Sequence, residues 1–96
     1  MKTTTIKKLS AMPYAQAHIE IDGDGNICLF SYVTLVAKIN ADGWLSVYGL
    51  YSQTTRRHIS AFVREYASPL TYQDAKSCYE NNKTVNYLTG EVEDLE

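Results

Sequence analysis

Cysteine, proline and long apolar runs are all scarce in this chain of 96 residues. Its two cysteines, Cys28 and Cys78, are too few for the disulfide framework of a small secreted domain, and they are not paired as Cys-x-x-Cys. They read as buried thiols in a reducing compartment. No stretch approaches the roughly 20 apolar residues that a membrane helix requires. The longest apolar segment, residues 27–39, is interrupted by Ser31, Thr34 and Lys38. The basic start, Lys2, Lys7 and Lys8, leads into neither an apolar core nor a small-residue cleavage site, which argues against a secretory signal. The expectation is a soluble cytoplasmic protein with no membrane partner. Phosphate loops and dinucleotide fingerprints are also missing, because Gly23, Gly25, Gly43, Gly49 and Gly90 fall where turns are expected.

The hydrophobic content of 45% is that of one folded domain. A chain of this length buries roughly 60 to 65% of its unfolded surface, enough for one core and little room for a deep substrate cavity. The net charge of −2 is uneven, because Glu91, Glu93, Asp94 and Glu96 stand together without a nearby base. Residues 1–90 therefore read as the domain and residues 91–96 as an acidic, flexible tail.

Residues 15–21 alternate, with Ala15, Ala17, Ile19 and Ile21 on one face and Gln16, His18 and Glu20 on the other, as in a half-buried strand. A turn at residues 22–26 leads to a partner strand from Ile27. Residues 27–40 continue as strand with a bend near Ser31, setting Val33, Leu35, Ala37 and Ile39 against Tyr32, Thr34, Val36 and Lys38. After a turn at residues 40–43, residues 44–48 supply another strand. Ser52 is placed to cap a helix over residues 53–67, whose stripe is Ile59, Phe62, Val63 and Tyr66. Thr71 caps a shorter helix to about residue 80, carrying Tyr72, Ala75 and Tyr79, and residues 84–88 read as a last short strand. The expected fold is α+β: an antiparallel meander of three or four strands packed against one longer and one shorter helix.

Asp22, Asp24 and Asn26 begin like a calcium loop, but Ile27 and Val33 occupy the positions where a glycine and a bidentate acid are needed. His18, Cys28, His58 and Cys78 have the right types for zinc without the paired spacing that preorganises it. His58 beside Arg56 and Arg57, with His18 as partner, is the least unlikely catalytic set, for phosphodiester cleavage. No cofactor and no enzyme activity are expected. Eight tyrosines and Trp44 are the strongest compositional feature, since tyrosine gives a large contact area at low entropic cost. Tyr32, Tyr48, Tyr72 and Tyr79, with Arg56 and Arg57, are the candidate binding residues; the alternative is that the tyrosines edge the core. The segment Tyr51-Ser52-Gln53-Thr54-Thr55-Arg56-Arg57-His58 opens a helix with free amides, hydroxyls and guanidinium groups. A capped first turn, an anion or nucleic-acid contact and a protein contact all remain open for it.

Residues 31–66, with Tyr51, Ser52, Thr54, Thr55, His58 and Ile59 in the pattern Tyr/Trp-Ser-x-Thr-Thr-x-x-His-Ile, resemble a family of small phage and mobile-element proteins of unknown function. The resemblance implies a phage or prophage origin, and hence the cytoplasm of a host cell, and it brings no activity. By analogy with other small phage proteins, the expected role is stoichiometric binding that inhibits or modifies a host factor. Its narrower form is an anti-CRISPR protein acting on a CRISPR nuclease. The competing expectation is a nucleic-acid-binding accessory protein using Arg56, Arg57 and Arg64. Monomer and homodimer are both compatible with the sequence.

Overall fold

The computed structural model describes residues 4–50 and 52–94. Tyr51, the first residue of the motif, lies outside the described residues, as do Lys2 and Glu96. The elements are β1 (Thr5–Lys7), β2 (Ala17–Ile21), β3 (Ile27–Ser31), β4 (Thr34–Ile39), β5 (Trp44–Val47), α1 (Gln53–Tyr66), α2 (Tyr72–Asn81), β6 (Lys83–Asn86) and β7 (Val92–Asp94). They form one seven-stranded sheet in chain order, each strand antiparallel to its neighbour, so the α+β meander is as expected. β6 is the short strand expected over residues 84–88, found one residue earlier and ending at Asn86, and β1 and β7 are the two strands beyond the expectation. Every side chain of β1 and β7 is exposed, so neither strand carries the alternation that would have marked it.

The β2–β3 turn is built by Asp22, whose carboxylate accepts the amides of Asp24 (2.9 Å) and Asn26 (3.1 Å) and the Asn26 side-chain amide (3.0 Å). Gly25 completes it at φ +89°. The bend near Ser31 is a reversal through Tyr32, at φ +57°, and Val33. Val33 is 91% exposed in that turn and not on the inner face assigned to it by alternation. A register shift opposite Leu29 and Phe30 adds one residue to β4 at Val36. The bulge turns Val36 inward beside Ala37, and both are fully buried, where strict alternation had set Val36 outward.

Both helices cover the same face of the sheet, α1 over β3 and β4, α2 over β5 and β6. Ser52 Oγ accepts the Thr55 amide at 3.2 Å to start α1. Its stripe of Ile59, Phe62 and Val63 closes the core against Leu29, Val36 and Leu45. Thr71 and Asp74 form a capping box at the start of α2, and Asn82, at φ +57°, ends it. Leu9, in the polar start, is fully buried, and Ser10 fastens that segment to α1 by donating its amide (3.0 Å) and hydroxyl (2.7 Å) to Glu65. Burial alone would raise the Glu65 pKa, but these two bonds hold it below the usual carboxylate range.

Residues 92–94, within the segment read as a tail, add β7 to the sheet through β6, with Lys83 paired to Asp94. Their side chains remain in solvent while the backbone supplies the order.

Candidate functional site

The core stripe of α1 leaves Arg56, Arg57, Ser60 and Arg64 on its other side. α2 packs beside it and brings Tyr72 and Lys76 against that row. Gln53, Arg56, Arg57, Ser60, Tyr72 and Lys76 line a groove of about 360 Å³ between the helices. A second hollow of about 320 Å³ shares Ser60 and Tyr72 with it and adds Arg64, Leu70, Thr71 and Gln73. The two form one trough along the helix pair with Tyr72 at its middle. Arg57 and Arg64 stand seven residues apart on α1, about 10.5 Å along its axis at 1.5 Å per residue. Among the described residues no acid pairs with Arg56, Arg57, Arg64 or Lys76; the ion pairs are His18 with Glu20 and Lys83 with Asp94. An anion entering the trough would therefore meet four cations without displacing an internal partner.

Of the six candidate binding residues, the structure unites Arg56, Arg57 and Tyr72. The other three tyrosines lie apart. Tyr79 is 40% exposed and is not among the residues lining the trough. Tyr32 stands in the β3–β4 turn with its ring 6.3 Å from that of His58. Tyr48 follows β5 and continues the alternation of Trp44 and Ser46 on the uncovered face of the sheet. On that face His18 stacks flat on Phe30 at 4.9 Å and bonds Glu20 at 2.8 Å. Lys76 escaped the sequence reading, although its spacing of four from Tyr72 places both on one face of a helix.

His58 does not join the arginines. It is 1% exposed on the sheet side of α1, with Nδ1 2.9 Å from Ser31 Oγ. Ser31 Oγ lies 3.5 Å from Thr55 Oγ1, which in turn lies 3.2 Å from Ser52 Oγ. Ser31, Thr55 and His58 thus make a buried polar latch that the exposed Ser52 extends to the surface, and the constellation of His58 with Arg56 and Arg57 does not converge on one substrate position. The four zinc candidates are also divided: His18 and Cys28 are on the uncovered face, His58 and Cys78 under the helices.

Burial lowers the His58 pKa, so the imidazole is neutral at pH 7. In the unfolded chain it protonates near its ordinary value of about 6.5, before the folded form does. The unfolded state then holds more protons, and stability falls as pH drops from about 6.5 through the lower folded value. The expected result is a lower urea midpoint at pH 5 than at pH 7, with the difference diminished in His58→Gln. Glu65, held below the usual carboxylate range, adds its own loss only at lower pH.

No curated protein and no solved structure matches the chain. A family model does match, over residues 1–77, a span containing all of α1 and the arginine row, Tyr72 and Lys76. The chain therefore belongs to the family of unknown function DUF8033.

Proposed function

We propose that the protein acts by binding without catalysis, and that the trough between α1 and α2 holds the phosphate backbone of a nucleic acid. The observation that supports this most is the convergence of Arg56, Arg57, Arg64 and Lys76 around Tyr72 with no described acid among them. Guanidinium groups match phosphate oxygens in pairs, and the Tyr72 ring offers a flat neighbour for a base. A net charge of −2 gives the whole molecule no attraction for phosphate, so the attraction is confined to this patch.

The test is fluorescence anisotropy with labelled single-stranded and duplex oligonucleotides across a salt series. Contact with two or three phosphates gives a slope of log affinity against log salt of roughly −2 to −3. The double variant Arg56→Ala with Arg57→Ala should flatten it by roughly 1.4 to 1.8 and weaken binding about tenfold at low salt. Unchanged binding in that variant would remove the trough from the reading.

Absence of oligonucleotide binding would favour a second reading, supported by the uncovered sheet face, where Phe30 and Trp44 are half-buried and Tyr48 is 40% exposed. There the protein is a stoichiometric inhibitor of a host factor, of phage origin as the motif resemblance implies, with a CRISPR nuclease as the narrowest target.

A further inference from the structure

The sheet ends in two strands that hydrogen-bond on one side only within the described residues, β1 to β2 and β7 to β6. The surroundings of the two edges are opposite in charge. From Thr4 to Ile19 the chain holds Lys7 and Lys8 and no acid; from Thr84 to Asp94 it holds Glu91, Glu93 and Asp94 and no base. Some of these charges are answered internally. Lys7 lies close enough to help lower the Glu65 pKa, and Asp94 pairs with Lys83. No ion pair among the described residues holds Lys8, Glu91 or Glu93, and all three are exposed.

We propose that these edges are a head-to-tail interface between copies of this chain, with β7 of one copy pairing to β1 of the next so that the sheet continues across molecules. The occupant follows from charge. Pairing β1 with a second β1 joins two basic edges, and pairing β7 with a second β7 joins two acidic ones, with Glu93 opposite Glu93 in an antiparallel pair centred on it; like charges brought together across a strand pair are destabilising. Only the mixed pair joins unlike charges, since in a parallel ladder Lys8, just past the end of β1, falls a diagonal step from Glu93 of β7. Topology permits it, because in an antiparallel meander of seven strands the first and last run in the same direction. A copy shifted along the strand order therefore presents β1 parallel to β7 with its helices on the same side of the sheet. Exposed Ile6 (68%) and Val92 (58%) add apolar surface at the two edges. Charged edges ordinarily discourage association, and here each repels its own kind while accepting the other. Such a contact has no twofold axis to close it, so it builds rings or open chains and not a simple dimer. Each edge strand is three residues long, so the association is weak and depends on concentration.

Sedimentation velocity of the full chain at high protein concentration tests this in about 0.01 M and about 1 M salt, where the Debye length falls from about 30 to about 3 Å. The expected result is a weight-average mass at low salt at least about twofold above the monomer, returning to the monomer at high salt. Lys8→Glu alone and Glu91→Lys with Glu93→Lys alone should each be monomeric, since both edges then carry one sign. An equimolar mixture of these two variants should associate again, because each supplies the edge that the other accepts. Circular dichroism establishes that the variants remain folded. A wild type that stays monomeric at low salt, a self-limiting dimer, association indifferent to the reversals, or a mixture that fails to associate would each overturn the proposal.

Discussion

Replacing Phe62 by Ala is expected to lower the stability of the fold by about 3 to 5 kcal/mol, measured by urea unfolding at pH 7. Phe62 is fully buried in α1, between Ile59 and Val63 in sequence, with its ring 5.5 Å from that of Tyr66. It belongs to the cluster in which α1 meets the inner face of the sheet. The substitution removes the apolar transfer energy of the ring and leaves a cavity that the surrounding strands can only partly fill, since they are fixed by their own ladders. A domain of this kind is stable by only about 5 to 15 kcal/mol in total, so this one change removes a large share. Phe62→Leu, which retains most of the apolar volume, should lose much less. Equal losses in the two variants would mean that the ring does not fill the centre of the core.

The second large effect is expected at Asn86, which is 5% exposed and locks two turns together. Its Nδ2 donates to the Asp42 carbonyl at 3.0 Å, and its Oδ1 accepts the amides of Leu88 (2.8 Å) and Thr89 (3.2 Å). Gly43 is part of the same lock. It holds φ +97°, and a Cβ there would lie 3.1 Å from Asn86 Oδ1 and 2.9 Å from Leu88 Cδ1. Asn86→Ala unpairs three half-buried backbone bonds at once and should cost about 2 to 3 kcal/mol. Hydrogen exchange supplies the more specific readout. Amides of β6 and β7 should lose protection in Asn86→Ala while those of β2 and β3 keep theirs beyond the global loss; uniform loss across the sheet would deny Asn86 this local role.

The elements that could be read from sequence are those with a strong period and chemical stops. The β2–β3 hairpin has its alternation and the Asp22 turn, and α1 has Ser52 and the Ile59–Phe62–Val63 stripe. β1 and β7 were unreadable because three exposed residues carry no pattern and take their order from a neighbour's ladder. Leu9 was hidden for a related reason: one apolar residue in a polar stretch has no period, and its burial is decided by Ser10 holding Glu65 far along the chain. Val36 followed the wrong face because one bulged residue reverses the alternation beyond it. At the candidate site, Arg56, Arg57 and Tyr72 were singled out by residue type. Their meeting with Lys76 and Arg64 depends on how α2 lies against α1, a long-range packing outcome that spacing within either helix does not encode. His58 shows the converse, since its neighbours in sequence suggested chemistry and its facing strand makes it a structural tie.

A sheet whose strands follow in chain order, with no crossover, can be lengthened or shortened at either end without rethreading what remains. The family match takes in β1 to β5 and α1 and stops within α2, so β6 and β7 lie beyond the span shared with the family. The trough and the acidic edge therefore belong to different portions of the polypeptide, and sequence drift can remodel the edge while the arginine row stays as it is.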